Sequence, residues 1–206
     1  MKKFSLLIGT AVLILIFTAS FAGAQGFAEK LSVGANVGPA EPWGDAGGIY
    51  GTGFMVQPFV QYDLSDMVAN LKLELSFGFE SHSEKTEGAE GSATVIPILV
   101  NGVYNIASLM DGKVSILGVG GFGINMHSWD SGVEGLTYDG QTVLGVNFGA
   151  GATYAINEKM SASLRFGYYI SFTSKLSGSI NGTSFESTED YSHSSTPALI
   201  GITYKL

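Results

Sequence analysis

Along most of this chain, charged side chains keep to one side of a two-residue alternation, and that restriction limits the fold more than any other feature. Apolar and polar residues alternating at period two mark a strand whose two faces meet different surroundings. From residue 71, Leu71, Leu73, Leu75, Phe77 and Phe79 share one face, while Lys72, Glu74, Ser76, Gly78 and Glu80 share the other. Over 161–172, Ala162, Leu164, Phe166, Tyr168, Ile170 and Phe172 alternate with Ser161, Ser163, Arg165, Gly167, Tyr169 and Ser171. Over 144–154, Leu144, Val146, Phe148, Ala150, Ala152 and Tyr154 alternate with Gly, Asn and Thr. Over 198–206 the pattern recurs, and noisier versions occupy 30–38, 53–63, 94–105 and 113–125, so eight strands are expected. Lys30, Lys72, Glu74, Glu80, Lys113, Arg165 and Lys205 all fall opposite the apolar parity. Pro58 and Pro97 lie inside two of the segments. Each removes a ladder hydrogen bond, and a bulge is expected at each.

Hydrocarbon accounts for an uncharged face, because a charged side chain at the bilayer midplane costs about 2–4 kcal/mol. The competing arrangement is a soluble lipocalin-like barrel with its apolar face inside. Its Gly-, Ser- and Asn-rich face would then meet water, where about 25–35% charged residues are usual. Charged residues make up only 14% of this chain. The connections agree with lipid. They are short after the second, fourth and sixth strands (64–69, 106–112 and 156–159). They are long and polar after the first, third, fifth and seventh (39–52, 81–92, 126–141 and 173–195). Outer-membrane barrels have this asymmetry, with the short turns toward the periplasm. The fold expected is all-β: an eight-stranded antiparallel up-and-down transmembrane β-barrel with both termini at the periplasmic end.

The start of the chain reads as an export signal. Lys2 and Lys3 precede an apolar run from Phe4 to Phe17, and Ala22-Gly23-Ala24 supplies small residues for cleavage. A signal peptide is expected over 1–24, with the barrel domain over 25–206. A single membrane anchor is the competing reading, but a helical span needs about 20 apolar residues. The absence of cysteine excludes disulfides, thiolate metal sites and a lipidated Cys. A net charge of −8 leaves nucleic acid out as a partner, since that binding rests on phosphate neutralisation.

Four tyrosines share both phase and depth. Tyr62, Tyr104, Tyr154 and Tyr204 lie on the apolar parity near the ends of strands that descend to the short turns. They are expected to ring one membrane interface, the ring in lipid and the hydroxyl in water. Phe54, Phe77, Phe79, Phe122, Phe172 and Trp129 are candidates for the opposite girdle.

Three stretches bear a family likeness: Ile96-Pro97-Ile98-Leu99-Val100-Asn101-Gly102-Val103-Tyr104, the glycine-rich Gly118-Val119-Gly120-Gly121-Phe122-Gly123, and the terminal Gly201-Ile202-Thr203-Tyr204-Lys205-Leu206. Together with the strand pattern, they resemble the small outer-membrane barrels of the OmpA/OmpX type. The resemblance implies residence in the bacterial outer membrane among lipid and lipopolysaccharide. It also implies delivery by the barrel-assembly machinery, which would read Gly201, Tyr204 and Leu206 as a terminal signal. Here the last residue is Leu rather than an aromatic, and Leu199 stands where the pattern has a polar residue. No peptidoglycan-binding domain is expected.

Little in the sequence points to chemistry. Gly118, Gly120 and Gly123 satisfy G-x-G-x-x-G, but a dinucleotide site needs that motif between a strand and a helix. Lys72, Glu74 and Arg165 have lumen parity at similar depth, so an ion-pair network across the barrel is expected, with Gln57, Gln61 and Asn101 nearby. Separate hydration of these groups is the alternative, as is a very narrow channel. His82, His127 and His193 each sit past a strand end on the long-loop side, leaning inward. A metal or anion site at the rim is conceivable, but the three strands are not neighbours, and no metal or other cofactor is expected. A lipid A acyl hydrolase would draw on His127, Ser128 and Glu134. Adjacent His and Ser residues face opposite ways in a strand, so no catalytic residue is assigned. The long loops carry Glu41, Asp45, Glu84, Glu87, Glu90, Asp130, Glu134, Asp139, Glu186, Glu189 and Asp190, opposed only by Lys85 and Lys175. These acids either solvate the loops or form a surface for divalent cations or a basic partner.

Overall fold

A computed structural model describes residues 28–86 and 90–206. The expected signal peptide and Glu87 lie outside the described residues. The described chain is built from β1 (Leu31–Trp43), a short α1 (Asp45–Ile49), β2 (Gly53–Asp63), β3 (Leu71–Phe77), β4 (Phe79–Ser83), β5 (Ser92–Leu109), β6 (Val114–Asp130), β7 (Leu136–Tyr138), β8 (Gln141–Ala155), β9 (Met160–Ser171), β10 (Ser174–Ile180), β11 (Thr183–Tyr191) and β12 (Ser194–Lys205). Eight walls close into an antiparallel barrel in the order β1, β12, β9, β8, β6, β5, β3 with β4, and β2, which pairs back onto β1. All eight expected strands are present in the expected phase.

The outer and inner faces differ as the alternation requires. Leu75, Phe122, Leu144, Phe148, Phe166, Ile200 and Ile202 stand exposed on the outside. Inside, Met55, Phe59, Leu99, Val103 and Leu199 pack beside buried Asn36, Gln57, Gln61, Glu74, Asn101, Asn147 and Arg165. An eight-stranded barrel has room inside only for side chains.

The bulges expected at Pro58 and Pro97 do not occur. The β1–β2 register passes Ala35↔Pro58 without a shift, and the β5–β6 register passes Pro97↔Asn125 likewise. Both prolines instead flank a single break in the third wall. The ladder to β2 lapses between Val56↔Phe79 and Phe59↔Ser76. The ladder to β5 lapses between Phe77↔Ile98 and Glu80↔Val95. Each missing N–H therefore faces a gap in the pairing, and no donor is lost from a continuous ladder. Gly78 sits in that gap and donates its N–H to the Pro97 carbonyl at 2.7 Å. A Cβ there would lie 2.5 Å from Pro97 Cγ, so the position has no room for a side chain. The register shift of β5 falls lower, between Asn105 and Ala107.

The long connections are more ordered than their polarity suggested. β5 has 18 residues and β6 has 17, whereas a membrane strand needs about 9–11. The surplus carries the wall beyond the apolar band. A second sheet in the order β11-β10-β7 stands at the long-loop end. Beneath it Ala46, Tyr50, Ala93 and Trp129 form an apolar cluster joined by Tyr138, Leu176 and Tyr191. Asp45 ties α1 to the segment before β12 by accepting the Ser192 backbone N–H and hydroxyl, each at 2.9 Å. These two bonds, the backbone one foremost, hold the Asp45 carboxyl below its ordinary pKa.

Candidate functional site

The lumen holds two polar clusters at different heights. The lower one centres on Glu74, which β3 directs inward with no solvent exposure. Arg165 reaches it across the barrel from β9, with Nη1 2.9 Å from Glu74 Oε2. Gln61 Nε2 donates to the same oxygen at 2.7 Å, and Asn101 Nδ2 donates to Oε1 at 3.2 Å. The guanidinium also lies over the Phe59 ring, 5.0 Å from its centroid. Gln57 extends the cluster by donating to the Tyr169 hydroxyl at 3.0 Å. The expected partners Glu74 and Arg165 are thus brought together, with Gln61 and Asn101 as auxiliaries. Lys72 is not part of the cluster. It pairs in register with Asp63, two residues nearer the short turns, and is only half buried there. Shared parity put it on the lumen side, but its depth leaves it at the mouth.

The upper cluster brings together the three inward-leaning histidines, whose convergence the separation of their strands argued against. His82, His127 and His193 come from β4, β6 and the residue before β12, which are not adjacent walls. All three are buried, and they converge because the lumen is narrower than the path around the wall. The His193 ring centroid is 5.4 Å from that of His82 and 5.3 Å from that of His127. Glu80 lies between them, with Oε1 2.6 Å from His82 Nε2 and 3.9 Å from His193 Nε2. The Ser195 hydroxyl donates to its other oxygen at 3.0 Å. Trp129 stacks on His127 at 5.6 Å, which removes it from the outer girdle expected of it. The sequence signal for this placement was present: Trp129 and His127 share lumen parity with Asn125 along β6.

On the outside, Tyr104, Tyr154 and Tyr204 are exposed near the short-turn end, and Tyr62 pairs with Leu31 and Leu73 at that same end. Phe54, Phe122 and Phe172 are exposed nearer the long-loop end or at mid-height, and Trp43 joins them with its edge on Tyr168. Gly201 faces inward, where a Cβ would lie 2.2 Å from Asn36 Oδ1. Leu206 donates its N–H to the Leu31 carbonyl at 3.0 Å.

The groups weighed for acyl hydrolysis do not meet. His127 is buried in the lumen, Ser128 faces outward, and Glu134 stands exposed beyond β6. The G-x-G-x-x-G glycines lie wholly inside β6, with no helix after them. Of the two loop cations, Lys175 pairs with Glu186 at 3.2 Å, while Lys85 donates to the Gly47 carbonyl at 2.7 Å. The remaining described loop acids keep their surplus of negative charge.

The sequence matches the family model described as outer membrane protein beta-barrel domain over residues 9–196. The chain belongs to that family. Its seat is accordingly the bacterial outer membrane, which the barrel crosses with strands. Among solved structures, Neisserial surface protein A matches with a TM-score of 0.58 at 15% identity, over 86% of this chain and 97% of that one. A major outer membrane protein from Thermus thermophilus has a TM-score of 0.58 at 14% identity, over 86% and 98%. Ail, the attachment invasion locus protein of Yersinia pestis, has a TM-score of 0.52 at 13% identity, over 84% and 96%. These likenesses speak to the outer-membrane barrel fold alone. None of the curated proteins matches the sequence.

Proposed function

We propose that this outer-membrane barrel is a plugged scaffold for its long-loop end, with a structural, adhesion or surface-recognition role rather than a conductive or enzymatic one. The observation that carries this reading is the filled lumen. The Glu74–Arg165 pair crosses it, and Tyr169, the histidines and Trp129 occupy the space above. In the orientation usual for such barrels, the short turns face the periplasm and the ordered long loops face the exterior. Tyr62, Tyr104, Tyr154 and Tyr204 then form the inner interfacial girdle against outer-membrane lipid, with lipopolysaccharide around the outer half. Gly201, Tyr204 and Leu206 serve as the segment read by the barrel-assembly machinery.

Charge narrows the surface partner. Ail has been solved in complex with the heparin analogue sucrose octasulfate, a polyanion. The acidic rim of the present chain would repel such a ligand, so its own partner is basic. Planar-bilayer recording of the refolded protein tests the plug: no stable conductance steps are expected. Reproducible steps from the unaltered protein would establish a channel instead. Retention of polylysine but not heparin by barrel-bearing vesicles at low salt, lost at high salt, is the expected surface behaviour.

A further inference from the structure

We propose that Glu80, His82 and His193, with His127 beside them, form a binding site for a divalent first-row transition-metal ion inside the outer end of the lumen. The donor atoms of Glu80, His82 and His193 all lie within 4.8 Å of one another. In a tetrahedral zinc site with bonds of about 2.0–2.1 Å, ligand atoms stand roughly 3.3 Å apart. The observed separations of 2.6 and 3.9 Å bracket that spacing, so rotamer-scale adjustment suffices.

Hydrogen bonding shows where a cation is needed. His82 Nδ1 is 3.0 Å from the Gly51 carbonyl oxygen, which can only accept, so Nδ1 carries the hydrogen. In neutral His82 the Nε2 lone pair would then point at the Glu80 carboxylate 2.6 Å away. Two acceptors held at that distance require a positive species between or upon them. An imidazole anchored through Nδ1–H to a carbonyl is also the usual posture of a metal ligand. Ser195 orients the carboxylate from its far side, which completes a second outer contact.

A separate observation comes from the other rings. His193 is buried, and neither its Nδ1 nor its Nε2 has a hydrogen-bond partner; His127 Nδ1 has none either. A buried polar atom without a partner is costly, and it calls for a water or an ion. Imidazole with a single carboxylate suits zinc, nickel, cobalt or copper and is a poor set for calcium or magnesium, which take mainly oxygen ligands. The bound ion would fasten β4 and β12, with β6 nearby, across the lumen under the Trp129 cluster. This inference rests on side-chain geometry and holds whether or not the loops bind a partner.

The test uses the mature barrel refolded in detergent after chelation, with zinc or cobalt as the probe. One equivalent of zinc by calorimetry is expected, with cobalt giving the intense visible bands of a tetrahedral nitrogen–oxygen site. H193A should weaken binding by more than the roughly 10–100-fold typical of losing an outer-shell contact, and H82A/H193A should abolish it. S195A leaves every proposed ligand in place and should weaken binding only about 10–100-fold. Heat-modifiable gel migration verifies that each variant is a folded barrel. No zinc uptake by the folded wild type overturns the proposal, leaving a protonated His82–Glu80 pair as the cation's substitute. Equal uptake by wild type and H82A/H193A overturns it too, since the metal would then sit on the acidic loops.

Discussion

Replacing Glu74 by alanine tests the lower cluster most directly. The carboxylate is fully buried and accepts from Arg165, Gln61 and Asn101. Its removal strands a guanidinium whose side chain is 9% exposed, together with two amides that lose their acceptor. Breaking one side of a buried pair costs about 3–5 kcal/mol, because the surviving charge stays desolvated without compensation. Part of that cost is relieved by stacking on Phe59 and by water entering the vacated volume, which places the expected loss for E74A near ~3 kcal/mol. R165A should cost a similar amount by stranding the carboxylate. The pair should be strongly non-additive: E74A/R165A removes both charges and should be less destabilised than the sum of the singles by about 1–3 kcal/mol. E74Q, which keeps the volume and one acceptor, should fall between wild type and E74A. The assay is reversible urea unfolding in lipid vesicles, read by tryptophan fluorescence and by heat-modifiable migration. Single variants within about 0.5 kcal/mol of wild type, or fully additive ones, would refute the cross-lumen pair as a stabilising element.

The other predictions concern different surfaces. L75R places a charge on the exposed outer face at mid-height and should cost about 2–4 kcal/mol in lipid, whereas the same charge at the rim costs about 0–1, as vesicle unfolding will report. G78A puts a Cβ 2.5 Å from Pro97 and should destabilise by about 1–3 kcal/mol through overpacking in the same assay. The Asp45 link to Ser192 should be pH-dependent. Its folded pKa is depressed below the ordinary value of 3.8, so the link is at full strength above that value and is lost as pH falls through the folded one. Protease nicking between β11 and β12 should therefore rise toward strong acid in the wild type and be high at every pH in D45A.

The wall of the barrel was legible because lipid outside and a packed lumen inside impose opposite demands on alternate residues. β2 runs from Gly53 to Asp63, the limits the alternation indicated. Legibility failed where both faces meet water. Nearly all of β10 and β11 carries Ser, Thr, Asp and Glu on either parity, so nothing in their pattern separates strand from loop. The Glu74–Arg165 pair could be read because parity and depth specify a position in a narrow tube. Lys72 shared the parity but lies two ladder pairs nearer the mouth, enough to leave it beside Asp63. The convergence of the inward-leaning histidines was not legible for a related reason. Strand adjacency was the wrong measure of distance between groups that point toward a common axis, where rings from non-neighbouring walls meet.

The closing seam has a consequence for biogenesis. β1 and β12 pair from Ser32↔Lys205 to Trp43↔Ser194, joining the barrel strands that are farthest apart along the chain. Every other wall can zip onto a neighbour made just before it, but this one must wait for the last strand to emerge. Until then the sheet is an open ribbon with two sticky rims and its hydrogen-bonding groups bare. A substitution that weakens the seam should therefore show first as stalled insertion and periplasmic degradation, ahead of any fault in the finished protein.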